Sequence, residues 1–237
     1  MRDDDDAETA GAFRRALPDI LGEGVAGALH VGGLDPVTAG ALAPALAAVL
    51  RLDSWSHTRR LQRAEHVLQQ AADVLGGVDE LERVATRDDA HLELATRVLE
   101  AAARTTLPDK IPALARVLAT GLQADTKVDE ALILAAALSD LEAPHVLVLS
   151  TIAVHPTSPI AATAPSTGAP GWNSTQLATH LPGTKLVLSA LVQVLVAHGL
   201  IVNLADHQEP AWADVGQQPR YGVSDLGRTC LALLERP

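Results

Sequence analysis

A chain of 237 residues that is 48% apolar but only 2% aromatic must build its core from Ala, Leu and Val. Ala and Leu are strong helix formers, so a mainly α fold is expected. The net charge of -11 opposes phosphate backbones, which recruit Lys and Arg, and so disfavours DNA as a partner. The single cysteine, Cys230, excludes an internal disulfide and a Cys-based zinc site, and it fits a reducing, cytoplasmic compartment.

The opening "MRDDDDAE" reads as an acidic tail over residues 1–10, the reverse of the basic start of a signal peptide. Ala7 to Leu17 suits a short helix ended by Pro18. Gly24 to Leu50 is rich in Ala and Gly, with Asp35 its only charge. Its longest uncharged run, Pro36 to Leu50, is shorter than the roughly 20 residues that span a bilayer, and Pro44 interrupts it. A buried helical hairpin is the expectation there, with a membrane-active segment over residues 24–50 as the alternative.

Arg51 to Gly76 has helical spacing, with Leu61, Ala64, Leu68, Ala71, Ala72 and Leu75 on one side. Asp53 or Ser54 is the expected N-cap, and Gly76 and Gly77 the stop. Further helices are expected over Val78–Ala85, Asp88–Thr105 and Ile111–Leu122. Asp125 then caps a helix from Lys127 to Leu141 carrying Val128, Leu132, Ala135 and Leu138. Residues 11–140 therefore form a helical bundle with short turns and no repeat of fixed period.

Pro144 fits the first turn of a helix over His145–Val154. His155 to Gly171 holds four prolines and no charge, which marks a loop or linker. Asn173 or Ser174 can cap a short helix, "LPG" at Leu181 to Gly183 makes a turn, and a longer helix runs from Thr184 to His198 before Gly199. Leu200 to Ala205 and Arg220 to Val223 read as strands flanking a polar loop, and Ser224 caps a last helix over Asp225–Leu234.

This order of helix, strand, wing, strand and closing helix resembles a winged helix-turn-helix module over residues 141–237, with residues 155–171 as an insertion that is long for that family. The resemblance implies that Thr184 to His198 is the recognition helix and that Arg220 belongs to the wing. The residues themselves argue against a DNA reader. Leu188, Leu191, Val192 and Leu195 form one apolar stripe, and Val187, Ala190, Val194 and Ala197 form a second beside it. That leaves Lys185 and Gln193 as donors on a face where a major-groove reader needs several. From Trp172 onward four bases (Lys185, Arg220, Arg228, Arg236) face five acids (Asp206, Glu209, Asp214, Asp225, Glu235). Burial of the helix on two sides is expected, the second against the helical block or another subunit.

Motifs for chemistry are weak. "GEGVAG" at Gly22 to Gly27 matches a dinucleotide fingerprint only in letters, since "RRALPDIL" before it is not a strand. The nine histidines show no close ligand spacing, and "DTKVDE" at Asp125 to Glu130 lacks the glycine of a calcium loop. Cys230 sits in an apolar helix, a packed thiol rather than a nucleophile. No catalytic constellation, cofactor, metal or small-molecule site is expected. One basic cluster stands out: Arg51, Arg59, Arg60 and Arg63, with His57 and His66. It reads as a solvated helix face. Contact with nucleic acid, anionic lipid or an acidic partner is the functional alternative, shared with Lys185, Gln193 and Arg220.

The block Asp109 to Ala153 is similar in layout to bacterial helical proteins of the Abi-alpha abortive-infection type. In these an "L..L...H..VL" pattern, supplied here by Leu138, Leu141, His145, Val148 and Leu149, leads into a winged-helix-like tail. The similarity carries over no activity residue and implies only a role in phage defence or stress response. The expected function is a non-enzymatic interaction protein whose winged helix touches a protein partner or a second copy. A DNA-binding regulator is the alternative, and a membrane-acting effector the third reading.

Overall fold

The computed structural model describes residues 36–154, 171–204 and 219–235, with side chains described from Ser56 onward. The acidic tail, the helix expected over Ala7–Leu17, residues 24–35 of the apolar stretch, the insertion over 155–170 and the wing loop over 205–218 lie outside the described residues. Nine α-helices are present among the described residues: α1 (Pro36–Leu75), α2 (Val78–Ala85), α3 (Asp89–Arg104), α4 (Lys110–Gln123), α5 (Val128–Asp140), α6 (Ala143–Val154), α7 (Ser174–His180), α8 (Leu188–Ala197) and α9 (Asp225–Glu235). Strands β1 (Ile201–Asn203) and β2 (Tyr221–Val223) complete a mainly α fold with a small antiparallel sheet near the C-terminus. The chain forms two compact units, residues 1–104 with 114–131 and residues 105–113 with 132–237.

In the first unit α1 packs on α2 and α3. Its 40 residues form one continuous helix, so Asp53 and Ser54 lie inside it rather than capping a new one, and the described part of residues 24–50 is no hairpin. The Ala- and Leu-rich run before Arg51 propagates the helix straight through those two residues; a capping side chain acts only where the preceding backbone leaves the helical region. The expected stripe is buried at Ala64, Leu68, Ala71 and Ala72, joined by Val67. Gly76 (φ +101°) and Gly77 (φ +140°) end the helix, their N–H groups both donating to the Ala72 carbonyl. Buried Leu81 and Val84 from α2, Leu94, Val98 and Leu99 from α3, and Leu114, Leu118 and Leu122 from α4 fill the core. Each buried Leu or Val contributes about 1.5–3 kcal/mol of apolar transfer. Gly121 sits where α4 comes closest to its neighbours; a Cβ there would lie 2.4 Å from Leu94 Cδ2 and 2.6 Å from Ala131 Cβ.

In the second unit α6 packs against α8, β2 and α9, and α7 packs against α8. Pro144 occupies the first turn of α6, as expected. Asn173 caps α7 with a full capping box: its side chain accepts from the Gln176 N–H, and the Gln176 side chain accepts from the Asn173 N–H. Gly199 (φ +65°) ends α8 with Leu200 N–H donating to Leu195 O (2.8 Å) and Gly199 N–H to Val196 O (2.9 Å), the paired bonds of a Schellman turn. The chain then enters β1, which pairs with β2 in the register Ile201↔Val223, Val202↔Gly222 and Asn203↔Tyr221. Trp172, fully buried just before α7, adds a bridge to Tyr221 through Trp172 N–H to Tyr221 O (3.0 Å) and Tyr221 N–H to Trp172 O (2.8 Å). Ser224 caps α9 by accepting from the Gly227 N–H (3.0 Å), while its hydroxyl reaches Gly199 O (2.6 Å).

Candidate functional site

The helix expected over Thr184–His198 is shorter. Pro182–Thr184 is a 3-10 turn, Lys185 to Val187 continue as turn, and α8 begins only at Leu188. The cause is local. The Leu181 carbonyl accepts both the Thr184 N–H (3.1 Å) and the Thr184 hydroxyl (3.0 Å), which holds a tight i to i+3 turn, and Val187 supplies no side-chain cap. Lys185 and Leu186 consequently stand at a tip before the helix.

Around α8 the two apolar stripes part company. Leu188, Leu191, Val192 and Leu195 are buried in the unit's core. The second stripe is not: Val187 is 50% exposed, Ala190 and Ala197 are exposed, and Val194 is half-buried. Within its unit α8 is thus buried on one side, where α6, α7 and β1 pack on it, and the second stripe is not covered there. Leu186 is 98% exposed and Val196 42%. With 3.6 residues per turn, Ala190, Gln193 and Ala197 point outward together, with Leu186 and Val187 at their N-terminal end and Val194 and Val196 on the flanks. Lys185 and Gln193 are exposed on or beside this face. No Asp or Glu occurs between Ala143 and Ala205, although the chain carries 29 of them.

The remaining expected contact residues divide between the units. Arg220, half-buried, begins the strand segment beside β2, with its N–H donating to Asn203 Oδ1 (3.2 Å). In the first unit Arg59 and Arg60 are exposed, whereas Arg63 donates to the Ala103 carbonyl (3.3 Å) at the C-terminal turn of α3. A cation at a helix C-terminus satisfies an orphan carbonyl and complements the dipole. Arg51 lies in the backbone of α1, its side chain outside the described residues.

Two polar clusters escaped the sequence reading. His91 on α3 is buried between Asp88 and Arg87: Nδ1 lies 2.7 Å from Asp88 Oδ1, and Nε2 meets the Arg87 guanidinium. Arginine can only donate, which assigns the proton to Nδ1. The His91 side-chain bond holds the Asp88 carboxyl below the usual carboxylate range, helped by the His91 backbone N–H. Arg87 also pairs with Asp125, so Asp125 reaches across to the α2–α3 turn instead of capping the helix after it. Both ring nitrogens of His91 are taken, which leaves none for a substrate. In the second unit Lys110 is completely buried. Its Nζ donates to Leu141 O (2.6 Å) and Ser139 O (3.1 Å), with Glu142 Oε1 at 3.4 Å. It anchors the end of α5 to the start of α4. Beside it the His145 imidazole has its pKa lowered, chiefly by burial, and Nδ1 accepts the Glu142 N–H (3.1 Å).

Cys230 is buried, and burial pushes its thiol up to about 12, so it is packed and unreactive at neutral pH. Among the described residues no group of three or more His, Cys, Asp or Glu side chains is placed to hold a metal ion, and no single helix is long and apolar enough to cross a membrane. A cavity of about 370 Å³ in the second unit is lined mainly by Leu107, Pro112, Val146, Leu231 and Leu234, with Asp109, Ser150 and Glu235 at its polar edge. No protein-family model matches the chain, and no curated protein or solved structure matches it. Packing within the unit leaves the outward face of α8 uncovered, as it does Ile133, Leu147 and Val154.

Proposed function

We propose that residues 143–235 form a winged helix used to contact protein, within a non-enzymatic interaction protein. The element order supports the winged-helix reading: α6, the Trp172 bridge strand, α7, α8, β1, β2 and α9 follow one another, with the bridge strand joining the sheet between the first and second helices. The carrying observation is the exposed apolar surface at Leu186, Val187, Ala190 and Val196, in the position of a recognition helix. Such a helix in a DNA reader displays Arg, Lys, Asn or Gln toward base edges. Here Lys185 is the single Lys or Arg between Ala143 and Ala205, and Gln193 the single amide on the outward face of α8. Protein interfaces favour this composition, an uncharged apolar centre with charges kept away from it. The resemblance to Abi-alpha proteins suggests phage defence or stress response as the setting.

The test is a photo-crosslinking phenylalanine placed at Leu186 in the full chain and activated in cells. Contact with protein gives an adduct that protease digests and nuclease leaves intact. A nuclease-sensitive adduct, or no adduct at all, overturns the reading. A mobility shift on double-stranded DNA that weakens steeply with salt and is lost in Lys185→Glu would point the same way, to DNA.

A further inference from the structure

We infer that the cavity among α4, α6 and α9 is a binding site for a small amphiphilic amine, a compact hydrocarbon body carrying one ammonium group. Its walls come from three places within one unit. Leu107 and Pro112 flank the start of α4, Val146 and Ser150 stand one turn apart on α6, and Leu231 and Leu234 come from the last turns of α9. At about 370 Å³ the space falls within the range of small-ligand sites. Its aliphatic walls suit a hydrocarbon body. No aromatic ring lines them, so a cation there has no π face to rest on and must be met by the polar edge.

That edge offers only acceptors. Asp109 and Glu235 are carboxylates, and the Ser150 hydroxyl gives its proton to Leu147 O (3.1 Å). No Lys, Arg or His lines the cavity, and among the described residues neither carboxylate makes a hydrogen bond or an ion pair. An anionic ligand is repelled there. A neutral apolar ligand strips water from two carboxylates and returns nothing. An ammonium group meets them with charge-assisted hydrogen bonds. Two carboxylates on aliphatic walls fall short of a metal site.

Glu235 supplies an independent reason. Asp109 stands just before α4, where an acid complements the helix dipole, and needs no ligand to explain it. Glu235 closes α9, at the negative end of a helix whose last turn holds no base. An acid is locally unfavourable there. Local rules of this kind are broken chiefly where a site requires it. The carboxylate and the carbonyl end of α9 together put negative potential beside an apolar cavity, which is the field an amphiphilic amine needs. The inference does not depend on what touches the α8 face.

Phenethylamine is the probe, with phenethyl alcohol and hydrocinnamate as its neutral and anionic counterparts of similar shape. Each is titrated to millimolar concentration into the full chain at neutral pH and followed by amide NMR. We expect saturable shifts at Leu107, Val146, Ser150 and Leu231 with the amine, weaker binding of the alcohol and none of hydrocinnamate. Asp109→Asn with Glu235→Gln should weaken the amine by about tenfold or more and leave the alcohol unchanged, a split that a merely structural role would not produce. Both positions are exposed, so circular dichroism should stay at the wild-type spectrum. Ser150→Phe, at a half-buried position on α6, fills the space and should abolish binding of both. Arg236→Ala removes the base next to Glu235 in the sequence and should leave the amine bound at least as tightly. Asp79→Asn with Asp129→Asn takes the same charge from the other unit and should change nothing. An equal loss in that pair would show attraction by net charge alone and overturn the inference. So would shifts that map away from the cavity, amine and alcohol bound equally, or no saturable binding at all.

Discussion

Replacing Lys110 with Met asks whether a completely buried ammonium supports the second unit. Met preserves length and apolar stem but removes the donor. The loss includes two charge-assisted hydrogen bonds, to Leu141 O at 2.6 Å and Ser139 O at 3.1 Å. Bonds of this kind contribute about 1.5–3 kcal/mol each, roughly 3–6 kcal/mol together. The Glu142 contact at 3.4 Å adds little, because that carboxylate is 37% exposed and solvent screens it. Against this, Met buries well and no ammonium has to leave water, which returns about 1.5–3 kcal/mol. The net expectation is a destabilisation of about 1.5–3 kcal/mol, and for a chain of this size a Tm lower by about 3–12 °C. Trp172 is fully buried in the same unit and reports on it once Trp55 and Trp212 are replaced by Phe. Its fluorescence in thermal and urea unfolding gives the value. A Lys110→Met chain as stable as the parent, or more so, would refute the reasoning. Desolvation of the ammonium would then outweigh its polar contacts.

Three further outcomes follow from the same packing. Gly227→Ala puts a Cβ 2.2 Å from the Leu200 carbonyl oxygen; overpacking should exceed the helix-propensity gain and cost about 1–2 kcal/mol in urea unfolding, whereas Gly183→Ala, with nothing within 4 Å, should be close to neutral. His145 has a folded pKa below 6.5, so the unfolded chain binds its proton first; its contribution to stability is present above pH 6.5 and fades as pH falls below that value. NMR titration of the ring should find that depressed pKa, and His145→Gln, which keeps an acceptor for the Glu142 N–H, should flatten that part of the pH profile. Cys230, with its pKa near 12 and no solvent access, should resist a thiol reagent in the native state and react at once after denaturation; fast native labelling would show that α9 opens.

What could be read from sequence was local. Gly199, Asn173 and Ser224 each act within a few residues of themselves, so composition and spacing are enough to place them. Asp53 and Ser54 misled because a capping side chain is informative only where the helix actually begins, and the Ala- and Leu-rich run before them had already begun it. Lys110, Arg87 and Trp172 were invisible as anchors. Their partners lie far along the chain: Leu141 for Lys110, Asp125 for the Arg87 beside His91, and Tyr221 for Trp172. Nothing in the neighbouring residues encodes those meetings. The candidate face falls between the two cases. Helical periodicity found both stripes of α8, but which stripe the unit buries depends on where α6, α7 and β1 arrive.

Salt separates protein contact at that face from contact with DNA or lipid, because the latter two both draw on attraction between opposite charges. A duplex releases condensed counterions when cations bind it, so DNA contact weakens as salt rises. Attraction of a basic segment to anionic lipid is screened in the same direction. Apolar contact is not weakened by such screening. Contact of Leu186, Val187 and Ala190 with an apolar protein surface is therefore expected to persist as salt rises. The sign of one slope, measured on the intact chain, distinguishes a helix that touches protein from one that seeks an anion.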